Sequence, residues 1–208
     1  MSDLPSLEML FVAFTLGLAA CFRPAAMLRT AALQHPWLAC VLGLSWLWSL
    51  AAAHPVGAVV QVSGACLLVL MFGWPLAVWT LLPIALIGTW LAGEPIGAAL
   101  TSLAWFGLAP AFIALLLGGA TRRWLPSHLV VYIFGRAFFA TALAVVASGV
   151  LHVLVSGAPH GLETSDMIIG HSLVALGEAM ATGLLVATMV MFRPAWLATY
   201  SDQRYLPR

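Results

Sequence analysis

Residues 160–183 read HGLETSDMIIGHSLVALGEAMATG. This stretch carries three carboxylates (Glu163, Asp166, Glu178), two imidazoles (His160, His171) and the thioether of Met167, in a chain only 7% charged. Imidazole, thioether and carboxylate together suit a soft or borderline divalent metal ion. His152 and His54 add two more imidazoles nearby in the expected topology, so a candidate metal set is His152, His160, Met167 and His171. No HxxxH or HxH spacing fixes ligands within it. The alternative for these histidines is wetted loop residues at an interface. Glu178 stands inside a hydrophobic run, seven positions after His171. That spacing puts both on nearly the same helical face, about 10 Å apart along the axis. They would line one path without touching. A carboxylate at such depth costs at least about 2.5–3.5 kcal/mol on insertion scales, so it faces a cavity or a partner. A carboxyl that packs helices together, neutral or hydrogen-bonded to backbone or Ser/Thr, is the alternative.

The elements that must hold these groups are long apolar runs. Hydrophobic residues make up 63% of the chain and its mean hydropathy is +1.05, against roughly 45–50% apolar for a soluble domain. No soluble fold of 208 residues hides that much apolar surface, so the solvent is lipid. Turn residues and charges divide the chain into seven expected transmembrane helices, at about 6–22, 37–53, 57–72, 75–92, 96–117, 128–154 and 167–192. The fold class is therefore all-α, a polytopic helical bundle forming one integral membrane domain over residues 1–208. Strands are excluded by run length and by the lack of period-two alternation.

Arginine asymmetry orients the bundle. With seven crossings and the N-terminus outside, Arg23, Arg29, Arg122, Arg123, Arg193, Arg204 and Arg208 fall inside, and Asp3, Glu8, Glu94, Glu163 and Asp166 outside. Asp202 is the one acid on the arginine side. Arg136 lies within the sixth crossing, about 12 Å above the inner surface. Because side chains tilt toward the start of their helix, Arg136 leans inward and snorkels, while Glu178 leans outward. A direct pair between them is not expected. The arginine-bearing side is then the cytoplasmic one, and the chain is expected to be multi-pass. "LAAC" at 18–21 looks like a lipoprotein box, but the acidic stretch before it argues against a cleaved signal.

The remaining features read as packing. Cys21, Cys40 and Cys66 stand singly without CxxC pairing. Met71, Met180, Met189 and Met191 lie in apolar spans. Gly170, Gly177, Ala179, Ala181 and Gly183 crowd the last helix, with Gly177 and Gly183 as sites of close helix contact. Trp46, Trp48, Trp74, Trp90, Trp124 and Trp196 sit near span ends as an aromatic belt. A net charge of +1 gives no reason for a nucleic-acid partner. All eight basic residues are arginine, which removes Schiff-base chemistry. HExxH, GxSxG and paired aspartates are absent, so the reading is not that of an enzyme. A Walker loop is also absent, so energy must come from a partner or a gradient.

Three stretches together resemble the membrane permeases of energy-coupling-factor cobalt and nickel importers, the CbiM/NikM type, particularly their proteobacterial relatives. They are GACLLVLMFGWPLA (64–77), LPSHLVVYIFGRAFFATAL (125–143) and LVALGEAMATGLLVATMVMFRPAWLATYSDQRYL (173–206). The most specific is the last, with its Gly-Glu-Ala-x-x-Thr-Gly core and terminal Arg-Pro-x-Trp and Arg-Tyr-Leu. The likeness covers roughly residues 60 to 206. It implies seven helices, an outside N-terminus, a capture site at the outer face, and two kinds of partner: a cytoplasmic ATPase pair and a coupling membrane subunit. Typical members begin Met-His and carry a second histidine where this chain has Gln61; here the second residue is Ser2. Glutamine is a poor ligand for Ni²⁺ or Co²⁺, so the usual nitrogen set is missing.

Three functional readings follow. The first is a substrate-capturing permease, with Gln61, His171 and Glu178 on the path and a divalent transition metal, or a small solute linked to one, as cargo. The second is the same fold with changed cargo, held by the outer His/Met/carboxylate set. The third is a non-transporting integral subunit packed in a larger membrane complex.

Overall fold

In the computed structural model, residues 4–28, 31–52, 61–157 and 163–205 are described. Every regular element among them is helical: α1 Leu4–Ala20, α2 Pro24–Met27, α3 Ala31–Ala52, α4 Ala65–Phe72, α5 Trp74–Ala92, α6 Ile96–Ser102, α7 Ala109–Trp124, α8 Ala140–Ser156, α9 Thr164–Phe192 and α10 Asp202–Tyr205. Wide π-helical stretches, Leu103–Leu108 and Val131–Phe139, join α6 to α7 and lead into α8. Five helices are long and apolar enough to cross a membrane: α3, α5, the continuous Ile96–Trp124 and Val131–Ser156, and α9. The shorter α1 is apolar as well. Asp3, Arg29, His54, His160 and Arg208 lie outside the described residues.

Large hydrophobic side chains cover the outside of the bundle. Leu10 is 71% exposed, Trp90 78%, Leu184 71% and Phe192 77%. In water, contiguous apolar surface of this kind would drive association; against acyl chains it costs nothing. The interior is filled instead by Leu68, Phe72, Val78, Leu81, Ile84 and Leu108, all fully buried.

The pairing of α3 with α5 determines how the chain is threaded. The Trp37 indole donates to Thr80 Oγ1 at 2.8 Å. One end further along both helices, a Cβ on Gly88 would stand 3.1 Å from Trp48 Cβ and 3.2 Å from the Ser45 carbonyl. The two helices therefore run parallel, in close contact only because position 88 lacks a side chain. Parallel neighbours need a return path between them, and the described residues 61–72, buried in the bundle, lie on it. α8 and α9 are antiparallel. His171 lies against Gly149 at one level, and Gly183 lies 3.6 Å (as a notional Cβ) from Phe138 Cβ at another.

The return path departs from expectation. A full helix over 57–72 was expected; the helix spans only Ala65–Phe72, and residues 61–64 carry no regular structure. Eight residues rise about 12 Å, less than half a bilayer core. Gly64 breaks the run: it adopts φ 69°, a left-handed conformation that glycine enters freely. Any Cβ there would also meet Leu44 Cδ2 at 2.5 Å. Apolarity over 57–72 reported where the segment lies, not how its backbone is folded.

Two other expectations need correction. Trp48 and Trp74 do not belong to an aromatic belt, being only 3% and 6% exposed. Trp48 is instead drawn inward because its Nε1 donates to the Ser63 carbonyl at 3.2 Å. Gly177 is not a packing glycine: it is exposed, and a Cβ there would meet nothing within 4 Å. Its side of α9 faces away from α8, whereas Gly183, six residues on, points into the bundle.

Candidate functional site

A half-helix that starts inside an apolar bundle has a problem at its first turn. Its leading N–H groups lack intrahelical acceptors, and no water stands ready to replace them. Glu178 supplies what is missing. Its Oε2 accepts from the Ser63 N–H at 2.7 Å and its Oε1 from the Gly64 N–H at 2.8 Å. Ser63 Oγ accepts from the Ala65 N–H at 3.0 Å, adding a third cap. The carboxyl is 5% exposed. The positive end of the α4 dipole and two charge-assisted bonds thus offset the cost of placing it there. α9 supplies the acid, and the turn that opens α4 supplies the amides. Both oxygens are used by the fold itself, as the structural alternative for this residue requires.

Gln61 lies two residues before that cap. It is 4% exposed, and its Nε2 has no hydrogen-bond partner among the described residues. Gln61 and Glu178 thus share the neighbourhood of one non-helical break. Non-helical backbone at membrane depth occurs where it is buried in protein or lines a cavity.

His171 and His152 form a second centre. Their rings are 6.4 Å apart, centroid to centroid. Both are buried, at 2% and 9% exposure, and both belong to an aromatic cluster with Trp105 and Phe106. Among the described residues, His152 Nδ1 and His171 Nε2 have no partner. Met167, one turn before His171 on the same helix, is 3% exposed. The structure therefore brings together His152 and His171 from the expected metal set, while His160 lies outside the described residues. No group of three His, Cys, Asp or Glu residues able to hold a metal ion is present among the described residues. His171 is also tightly seated: a Cβ on Gly149 would stand 2.6 Å from its Cγ.

Glu8 was expected outside, in water. It is 6% exposed and buried against the α6–α7 junction. Its Oε1 accepts from Trp105 Nε1 at 2.7 Å and its Oε2 from Thr101 Oγ1 at 2.9 Å. Thr101 and Trp105 are four residues apart, one above the other on one helix face. That spacing was a signal available in the sequence. Pro110 explains the π-helical stretch carrying Trp105 and Phe106, because it has no N–H to return to the carbonyl four residues back. Glu8, Trp105, His152 and His171 consequently form a chain of polar groups from α1 across to α9.

The other expected intramembrane charge, Arg136, does not meet Glu178. Its Cζ lies 5.6 Å from the Tyr132 ring centroid and its Nη1 is 3.5 Å from the Tyr205 hydroxyl. The guanidinium lies near Gly118 and Thr121, at the end of the bundle where α7 finishes and its own helix begins, the direction in which helical side chains tilt. Cys21, Cys40 and Cys66 are all free thiols. Compared with family models, curated proteins and solved structures, the chain matches none of them.

Proposed function

We propose that this chain is the integral-membrane, substrate-capturing permease of an importer resembling the energy-coupling-factor cobalt and nickel systems. It crosses a bacterial inner membrane seven times, with its first residue outside. The observation that carries this reading is the interrupted third crossing. A half-helix begins inside the bundle after Gly64, with the non-helical residues 61–64, Gln61 and Ser63 buried among them, before it and an intramembrane carboxylate across from it. Secondary transporters build substrate sites from discontinuous helices of this kind. Seven crossings are supported by the parallel α3/α5 pair, which needs a return segment. Orientation is supported by charge: Glu94, Glu163 and Asp166 lie at one end of the helices, and Arg122, Arg123 and Arg193 at the other.

Cargo would enter at the acidic end and reach Gln61, with His171 and Glu178 on the way. A cytoplasmic ATPase pair and a coupling membrane subunit would supply energy through the arginine-bearing end. With Gln61 where relatives of the proposed family have histidine, the cargo is not held by the usual nitrogen set. The test is equilibrium binding of Ni²⁺, Co²⁺, Cu²⁺ and Zn²⁺ to detergent-purified chain, wild type beside Gln61→His. We expect weak Ni²⁺ binding in wild type and about a tenfold or greater gain in the variant, the scale of one good ligand. No gain, with no ATPase in complexes isolated from native membranes, would sink the proposal.

One observation favours a second reading, a non-transporting subunit of a larger membrane complex. Glu178 is fully used in holding α4, so its retention needs no cargo. Recovery of the chain in a stable native assembly with no ATPase would support that reading.

A further inference from the structure

The arginine end of the bundle holds a small basic cavity that neither reading uses. It occupies about 10 Å³, room for a single oxygen atom, and is lined by Arg136, Arg122, Ser127, Thr121, Tyr132 and Tyr205 among others. Among the described residues, no carboxylate lines it. Arg136 is held there by the fold. Its guanidinium lies beside the Tyr132 ring and packs closely over Gly118, where a Cβ would stand 3.1 Å from its Nη2. Its Nε is buried with no partner among the described residues, and its one side-chain bond, to the Tyr205 hydroxyl, is long at 3.5 Å.

A guanidinium within a spanning helix needs an anion, and it prefers one that accepts two bonds from its planar fork. Trp124, 77% exposed at the close of α7, and the neighbouring Arg122 and Arg123 mark this level as the boundary between hydrocarbon and headgroups. The volume admits one oxygen and not a whole ion. We propose that the Arg136–Arg122 cavity binds a phosphoryl oxygen of an anionic phosphate group, and so anchors the chain to acidic phospholipid. The bound phosphate lies against Tyr205, which ties the C-terminal segment to the lipid. This inference stands whether or not the chain transports anything.

The test uses full-length protein purified in detergent. Thermal unfolding is followed with added dioleoyl-phosphatidylglycerol, with dioleoyl-phosphatidylcholine, and with inorganic phosphate. In wild type, phosphatidylglycerol should raise the melting temperature more than phosphatidylcholine does. The half-saturating concentration should rise about tenfold in Arg136→Gln, and less in Arg122→Gln. Arg122 is exposed, so its variant folds even where Arg136→Gln does not. If inorganic phosphate alone gives the full effect and both variants lose it, the same cavity takes a free anion. No difference between the two lipids and no phosphate effect in wild type, or an unchanged response in both variants, would overturn the proposal.

Discussion

Glu178 and the amides it holds are 114 and 115 positions apart in the chain. The sequence therefore announces the cost of the acid in an apolar run but says nothing of its partners. That cost was legible because depth in lipid follows from counting residues. The partner was not, because it depends on a backbone break at Gly64 that hydropathy does not register. Replacing the acid by glutamine leaves one acceptor facing two donors and sets an NH₂ group against the second N–H. Glu178→Gln should destabilise the purified protein by about 1–3 kcal/mol, the cost of a stranded buried donor. Thermal unfolding in detergent reads this directly. An unchanged melting temperature would mean the carboxyl is not a structural cap. Glu8 teaches the converse lesson. Its partners Thr101 and Trp105 stand four residues apart on one helix face, a pairing that the sorting of charges by side does not register.

Helices were legible where the apolar run was long and ended at a turn residue, as at Gly93 after α5 and Gly157 after α8. The apolar run ending at Phe72 does not reveal its break at Gly64, for a physical reason. A broken segment buried among its neighbours needs the same apolar side chains as a continuous helix. The π-helical stretches were equally silent, although Pro110 gave a local cause for one of them. The parallel alignment of α3 and α5 is the element-scale claim that most constrains the threading. In a background without Cys21, Cys40 and Cys66, Trp48→Cys with Gly88→Cys should form a disulfide under mild oxidation. The notional Cβ separation of 3.1 Å relaxes easily to the roughly 3.5–4.5 Å a disulfide needs. Trp37→Cys with Gly88→Cys should not crosslink, since Trp37 sits beside Thr80. Crosslinking of the second pair but not the first would reverse the alignment.

For the molecule as a whole, composition alone indicated lipid as the solvent, and the apolar exterior agrees with it. Compartment and cargo are a different matter, because they depend on what lies beyond the chain. The proposed orientation makes a labelling prediction. In the same cysteine-free background, Glu94→Cys and Glu163→Cys should react with an impermeant thiol reagent added outside intact cells, and Arg122→Cys and Arg193→Cys only after lysis. Mixed reactivity within either pair would break the seven-crossing scheme. α4 also has a role at this scale, because it is gripped at both ends by one partner. Glu178 of α9 holds its start, and past the end of α9 the Ala198 and Thr199 N–H groups reach the Met71 and Leu70 carbonyls at 2.8 and 3.4 Å. Thr199 Oγ1 adds a bond to Leu70 O and contacts the Tyr132 hydroxyl, and the Tyr132 ring packs at a tilt against Tyr200 and Tyr205, which stack on each other. A push delivered to the tail by a docked neighbour would therefore bear on α4 as one unit about 12 Å long, with the Ser63–Gly64 turn held by Glu178 at its far end.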